Sequence, residues 1–168
     1  MPKHRVIFEI VPPGRNTSDS FRANALEKIS QAIGAISGIS LINLPEIVDE
    51  NKWGEPLYRN IDACDFGSQI RALTKKEAIV NKVVVHCNGI SGFNDWVARA
   101  CGKGMSGFVF VGGNFDISYP GPSVIDANRL AKLAGHNLIG NICIPSRPNE
   151  AKRMFEKTKS GASFFTTQ

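Results

Sequence analysis

Glu9 is an acid inside an apolar run, Val6-Ile7-Phe8-Glu9-Ile10-Val11, that ends in Pro12 and Pro13. A carboxylate in such surroundings is costly unless it is paired or hydrated. Two arrangements answer that cost: an ion pair with a lysine, or a general acid whose pKa is raised by burial. His86 closes the run Val83-Val84-Val85. It is either an interior histidine with satisfied hydrogen bonds or a ligand contact. Gly112-Gly113-Asn114 follows the run FVFV. It is either a tight turn or a place where a flat ring or a phosphate approaches the backbone closely. Lys157 precedes Gly161, where a cation suits a helix C-terminus. Arg147 reads as a solvated cation. Gln168 is either a frayed terminal residue or an amide that donates to and accepts from a heterocycle.

These residues cluster at the ends of short apolar runs. Val6–Val11, Ile39–Leu44, Val83–His86, Phe108–Val111, Leu138–Ile144 and Ser163–Thr167 are rich in Val, Ile and Phe. That is the pattern of strands buried on both faces. Between them, Ser18–Ile36, Ser68–Val80, Phe93–Cys101, Ser123–Leu133 and Asn149–Ser160 carry apolar residues near helical spacing. Phe21, Ala25, Ile29 and Ile33 show it in the first, with Ser18 or Asp19 as its cap.

Repeated β-α alternation predicts a parallel sheet with crossover helices. A glycine-rich phosphate loop after the first strand would favour an open doubly wound sheet, but that turn reads PPGRNT. The pair Gly112-Gly113 follows the fourth strand and lacks the rest of the pattern. The expectation is therefore an α/β fold of (β/α)₈ TIM-barrel type, with about six β/α units present. Residues 1–168 form one incomplete barrel domain on this reading, and the polar strand ends form its site.

Composition narrows the function classes. Hydrophobic residues make up 42% and charged residues 21%, the profile of a globular domain. No apolar run reaches the length of a membrane span. The net charge of +5 suits either a lysine-rich solvated surface or a field that attracts an anionic cofactor or substrate. No dense basic run interleaves with aromatics, so a nucleic-acid partner is not expected. Cys64, Cys87, Cys101 and Cys143 form no CxxC pair, which disfavours a metal site and fits reduced thiols in a cytoplasmic protein.

Four segments, in order along the chain, resemble the methylenetetrahydrofolate reductase family. Phe8–Pro13 (FEIVPP) is similar to its F-E-F-F-P-P opening, and VVVHCNG to the P-H-L-T end of strand three. Ile144–Arg153 (IPSRPNEAKR) resembles its Y-P-E-x-H-P-E-A segment, and Lys157–Gln168 (KTKSGASFFTTQ) its K-x-x-A-G-A-x-x-x-x-T-Q segment. The resemblance implies a barrel in one-carbon metabolism that reduces 5,10-methylenetetrahydrofolate, or a related methylene-pterin, to the 5-methyl form. It implies a flavin, FAD or FMN, reduced by NAD(P)H or another donor. Glu9 matches the catalytic general acid and Gln168 the residue that binds the folate ring. His86, Gly113, Asn114 and Lys157 match cofactor-binding positions, with Lys157 facing phosphates. The family's L-R-G-D at strand four is here Val111-Gly112-Gly113-Asn114, so the aspartate's charge is absent. The tyrosine and histidine of Y-P-E-x-H become Ile144 and Pro148. Two other readings follow from those departures: a flavin-free pterin barrel that transfers a methyl group, and a non-catalytic subunit that binds a partner. The family continues past T-Q into two further strands, so the chain is expected to be a fragment, or to have its barrel completed by self-association or by a second polypeptide.

Overall fold

The computed structural model describes residues 6–114 and 116–168. Six parallel strands form one sheet: β1 (Val6–Glu9), β2 (Ile39–Leu44), β5 (Glu77–Val83), β6 (Gly107–Val111), β7 (Ile139–Cys143) and β8 (Phe164–Thr167). Their order across the sheet is β1-β2-β5-β6-β7-β8, the order of the chain, and every pairing is parallel. A doubly wound sheet would reverse direction at a switch point. This one never does, so it is the wall of a TIM-type barrel, six strands wide and open between β1 and β8.

Five α-helices are described between the strands: α1 (Asp19–Gly34), α2 (Ala63–Thr74), α3 (Gly89–Gly102), α4 (Val124–Leu133) and α5 (Glu150–Ser160). Local chemistry sets their starts. Ser18 Oγ accepts from the Phe21 N–H, Asp62 from Asp65 and Ser123 from Asp126. Each satisfies an amide that has no partner within the helix.

Register divides the side chains between two faces. On the outer face Ile42, Leu44, Ala78, Val80, Phe108, Phe110 and Ile139 join Phe66, Ile70, Phe93 and Trp96 from the helices in one buried core. Each of the larger aliphatic and phenylalanine side chains contributes about 1.5–3 kcal/mol. On the inner face Leu41, Ile79 and Val109 form a smaller buried cluster with Leu138, Ile142 and Phe164 against it.

Three expectations need correction. The third strand is Glu77–Val83 rather than Val83–His86, and Val84–His86 is a 3₁₀ turn. The preceding helix covers Ala63–Thr74 rather than Ser68–Val80. Lys75 takes a left-handed conformation at its end (φ 59°), so the helix stops there and the apolar run AIV enters the sheet. Burial on both faces also fails for β1, whose four residues are exposed because the strand has one neighbour. Glu9 is therefore not buried.

A short antiparallel ribbon, β3 (Val48–Glu50) paired with β4 (Pro56–Tyr58), was not expected. It leaves the C-terminal end of β2. The loop after β1 is tied to it: Ile61 N–H donates to Pro13 C=O and Arg15 N–H to Arg59 C=O, both at 2.9 Å. The two prolines thus end the strand and anchor a loop, as their fixed φ suggests.

Candidate functional site

A cleft of about 900 Å³ opens at the C-terminal ends of β6, β7 and β8. This is the end of a barrel where the loops converge and chemistry is done. Its floor is apolar, from Phe110, Val111, Ile142 and Ile144. Its rim carries Arg147, Lys152, Arg153 and Lys157 beside Glu156, with the buried Glu150 3.8 Å from Arg153, so cations outnumber acids and the local field favours an anion.

Three sequence-predicted residues with polar side chains meet here. Asn114 stands in the loop after β6, Lys157 on α5, and Gln168 just beyond β8. Lys157 Nζ donates to the Ile142 carbonyl at 2.6 Å, which holds the ammonium over the end of β7. Burial pulls its pKa below the ordinary lysine value, with Glu150 opposing. Gln168 is anchored by its own N–H to Cys143 C=O at 3.0 Å, while its side chain is exposed. Arg147, expected as a solvated cation, is half-buried on the cleft wall.

Gly113 also lines the cleft, but the space its missing side chain leaves is taken. A Cβ there would fall 2.5 Å from the Tyr119 ring. Gly54, at φ 80°, faces the same ring, and a Cβ there would sit 2.8 Å from it. Two glycines thus form the slot that seats Tyr119. Its hydroxyl donates to Glu50 Oε2 at 2.7 Å and accepts from the Asn114 N–H at 2.9 Å. Burial, then the bond to Glu50, holds the phenol above its ordinary pKa.

His86 lies behind this tyrosine. Its side chain is 1% exposed, and Nε2 meets Glu50 Oε1 at 2.8 Å. The ring centroids of His86 and Tyr119 are 5.7 Å apart. His86 is therefore an interior histidine paired through one nitrogen, and it is not among the residues lining the cleft. Glu9 is also away from the cleft. Its Oε2 accepts from Asn43 Nδ2 at 2.8 Å, an amide partner rather than the lysine considered from sequence. Asn141, a strand-end residue, faces the helices, where it exchanges hydrogen bonds with Asn128.

Glu50 and Tyr119 were missed by sequence reasoning. Glu50 sits in the polar stretch VDENKWGE, where nothing local marks it, and its role depends on a ribbon too short to show periodicity. Tyr119, the tyrosine in the loop after Gly112-Gly113, was the available signal. Among the described residues no group of three or more His, Cys, Asp or Glu is placed to hold a metal ion. No helix among them is long and apolar enough to cross a membrane.

No protein-family model matches the chain, and no curated protein matches it in sequence. Solved structures do match its fold. A Clostridium thermocellum protein that binds two copies of 5-methyl-5,6,7,8-tetrahydrofolic acid aligns with a TM-score of 0.72 at 18% identity. The alignment covers 98% of this chain and 54% of that one, so this chain spans about half its length. Orotidine 5'-monophosphate decarboxylase of Methanocaldococcus jannaschii aligns with a TM-score of 0.55 at 12% identity, covering 98% of this chain and 71% of that one. At such identities the likeness is one of fold.

Proposed function

We propose that the chain binds a reduced folate or related pterin at its barrel mouth and acts as an oxidoreductase of methylenetetrahydrofolate reductase type. The observation that carries this reading is the convergence of Asn114, Lys157 and Gln168, singled out from sequence, on one basic cleft at the strand ends. The folate ligand of the Clostridium thermocellum fold neighbour supports it.

The cleft suits a flavin: an apolar floor, the amides of Asn114, Asn149 and Gln168, and a basic rim for phosphates. Arg147, Lys152, Arg153 and Lys157 would hold the phosphates, and Asn114 would meet the ring. When bound, the flavin supplies the hydride that reduces the substrate. Glu9 is the proton donor. Its Oε2 accepts from Asn43 Nδ2, which orients the carboxyl group. Protonating the departing ring nitrogen of 5,10-methylenetetrahydrofolate breaks its bond to the bridging carbon. The iminium so formed takes the hydride and becomes the 5-methyl product. Gln168 binds the pterin.

A second reading, a pterin barrel without flavin, draws on two positions. His86 is turned into Glu50, and Tyr119 fills the space beside Gly113. One experiment separates the two. The purified protein is incubated with FAD, desalted, and its visible spectrum recorded; it is then titrated with 5-methyltetrahydrofolate. Retained flavin bands with folate binding support the reductase. Folate binding by a colourless protein supports the second reading. Neither ligand binding overturns both.

A further inference from the structure

The inner face of the barrel changes character along its strands. Alternation puts Ile7 and Glu9 of β1, Leu41 and Asn43 of β2, and Ile79, Asn81 and Val83 of β5 on that face. Glu9 pairs in register with Asn43, Asn43 with Ile79, and Asn81 with Val109. Leu41, Ile79 and Val109 are a dry cluster. Towards the C-terminal ends of β1, β2 and β5 the same face presents a carboxylate and two amides.

Each of those amides keeps a side-chain oxygen that no described residue donates to. Asn43 is 5% exposed. Its Nδ2 donates to Glu9 Oε2 at 2.8 Å, and a carboxylate oxygen in that position accepts, so the amide orientation is fixed. Asn43 Oδ1 then points away from Glu9, buried and without a partner among the described residues. Asn81 Oδ1 is buried and without a partner as well. Asn81 stands two residues beyond Ile79, a step of about 7 Å along the strand, so the two amides are diagonal neighbours.

The outer face shows the contrast. There the buried Asn128 and Asn141 bond reciprocally, and Asn128 also reaches Ser160 Oγ at 2.8 Å. Buried acceptors left without donors are uncommon because each carries the cost of its lost hydration. Here two lie on the same inner face, beside an acid.

We infer that Asn43 and Asn81 are the part of the inner wall that recognises the hydrogen-bond-donating edge of the ligand's ring. The inference rests on the folate reading and deepens it. The group consists of acceptors, so it selects a ring edge bearing N–H and NH₂ donors, as an aminopyrimidinone does. It repels phosphates and carboxylates, which the basic cleft over β6–β8 takes instead. The ligand's ring and its anionic part are thereby sorted to different parts of one mouth.

The test is calorimetric titration of the full chain with 5-methyltetrahydrofolate and with its analogue lacking the 2-amino group. Asn43→Leu and Asn81→Leu are titrated beside the wild type, and ligand-free melts are recorded for all three. Wild type is expected to bind the analogue about tenfold more weakly, and each variant to lose about tenfold for the parent ligand. The variants should melt no lower than wild type, because leucine removes an unpaired buried acceptor; a merely structural amide would lower the melt. Wild type that binds both ligands equally overturns the inference, whatever the variants do. Variants that bind as tightly as wild type overturn it too. No folate binding by wild type overturns the folate reading itself, a distinguishable result.

Discussion

Replacing Glu46 by Gln should destabilise the protein more than any surface substitution. Lys82 lies on the outer face of β5 and is 7% exposed, yet it carries a charge. Its Nζ donates to Glu46 Oε1 at 2.6 Å, and Glu46 Oε2 accepts from the Val83 N–H at 2.9 Å. The ammonium also lies 5.5 Å from the Tyr58 ring centroid and 5.8 Å from that of Trp96. At an effective dielectric constant near 20, two charges this close attract by about 6 kcal/mol, most of it offset by desolvation. Glu46→Gln removes the counter-charge and leaves the lysine buried. The expected loss is about 3–5 kcal/mol. At about 2–4 °C per kcal/mol for a chain this long, the melt should fall by roughly 10 °C. The double variant Glu46→Leu/Lys82→Met should recover most of it, since an apolar pair of similar volume needs no counter-charge. The pH dependence has a definite sign. Burial pulls the Lys82 pKa down, but Glu46 outweighs it and the value is raised. The pair's stability is therefore fully present below the ordinary lysine pKa and is lost as the pH rises through the raised one. Denaturant melts across the alkaline range in wild type and double variant read this directly. A Glu46→Gln variant that loses less than about 1 kcal/mol would refute the reasoning, because the pair would then behave as a solvated one.

Other substitutions probe the site and its support. Lys157→Met should weaken FAD binding by about tenfold or more, measured by fluorescence titration, through loss of a charge-assisted contact. Because the Lys157 pKa is lowered, FAD affinity in wild type should begin to fall with rising pH below the usual lysine range, and this fall should be absent in Lys157→Met. Gly113→Ala should displace the Tyr119 ring, at about 1–3 kcal/mol in a denaturant melt; equal stability would mean the slot can widen. Asn141→Ala should cost about 1–3 kcal/mol by leaving the buried Asn128 Oδ1 without its donor.

The fold was legible where strands are continuous apolar runs. Ile39–Leu44 matches in every residue, and Ser123 was placed as the boundary of a helix it does cap. The error around residues 68–86 has a physical cause. The segment KKEAIVNKVVVH contains helix formers beside β-branched residues, and its division is decided by Lys75, whose left-handed turn no propensity requires. At the site, Asn114 and Gln168 stood out as polar residues closing apolar runs and Lys157 as a cation ahead of Gly161, and all three line one cleft. The Glu50–Tyr119–His86 chain was not, because its members come from a ribbon, a loop and a 3₁₀ turn that meet only in three dimensions. Glu9 stood out by type, but the exposure of β1 follows from its place at the sheet edge, which periodicity does not encode.

Because the strand order repeats the chain order, each sheet strand docks on the sheet strand before it. Every main-sheet pairing therefore closes a loop of one β/α unit, and none waits for a distant segment. Such pairings carry modest loop-closure entropy, which favours fast assembly. During synthesis the sheet can be laid down from β1 towards β8 as residues emerge. The buried Asn128–Asn141–Ser160 network joins α4, β7 and α5. It would lock only after α5 has emerged, so the basic cleft would be among the last features of the protein to take shape.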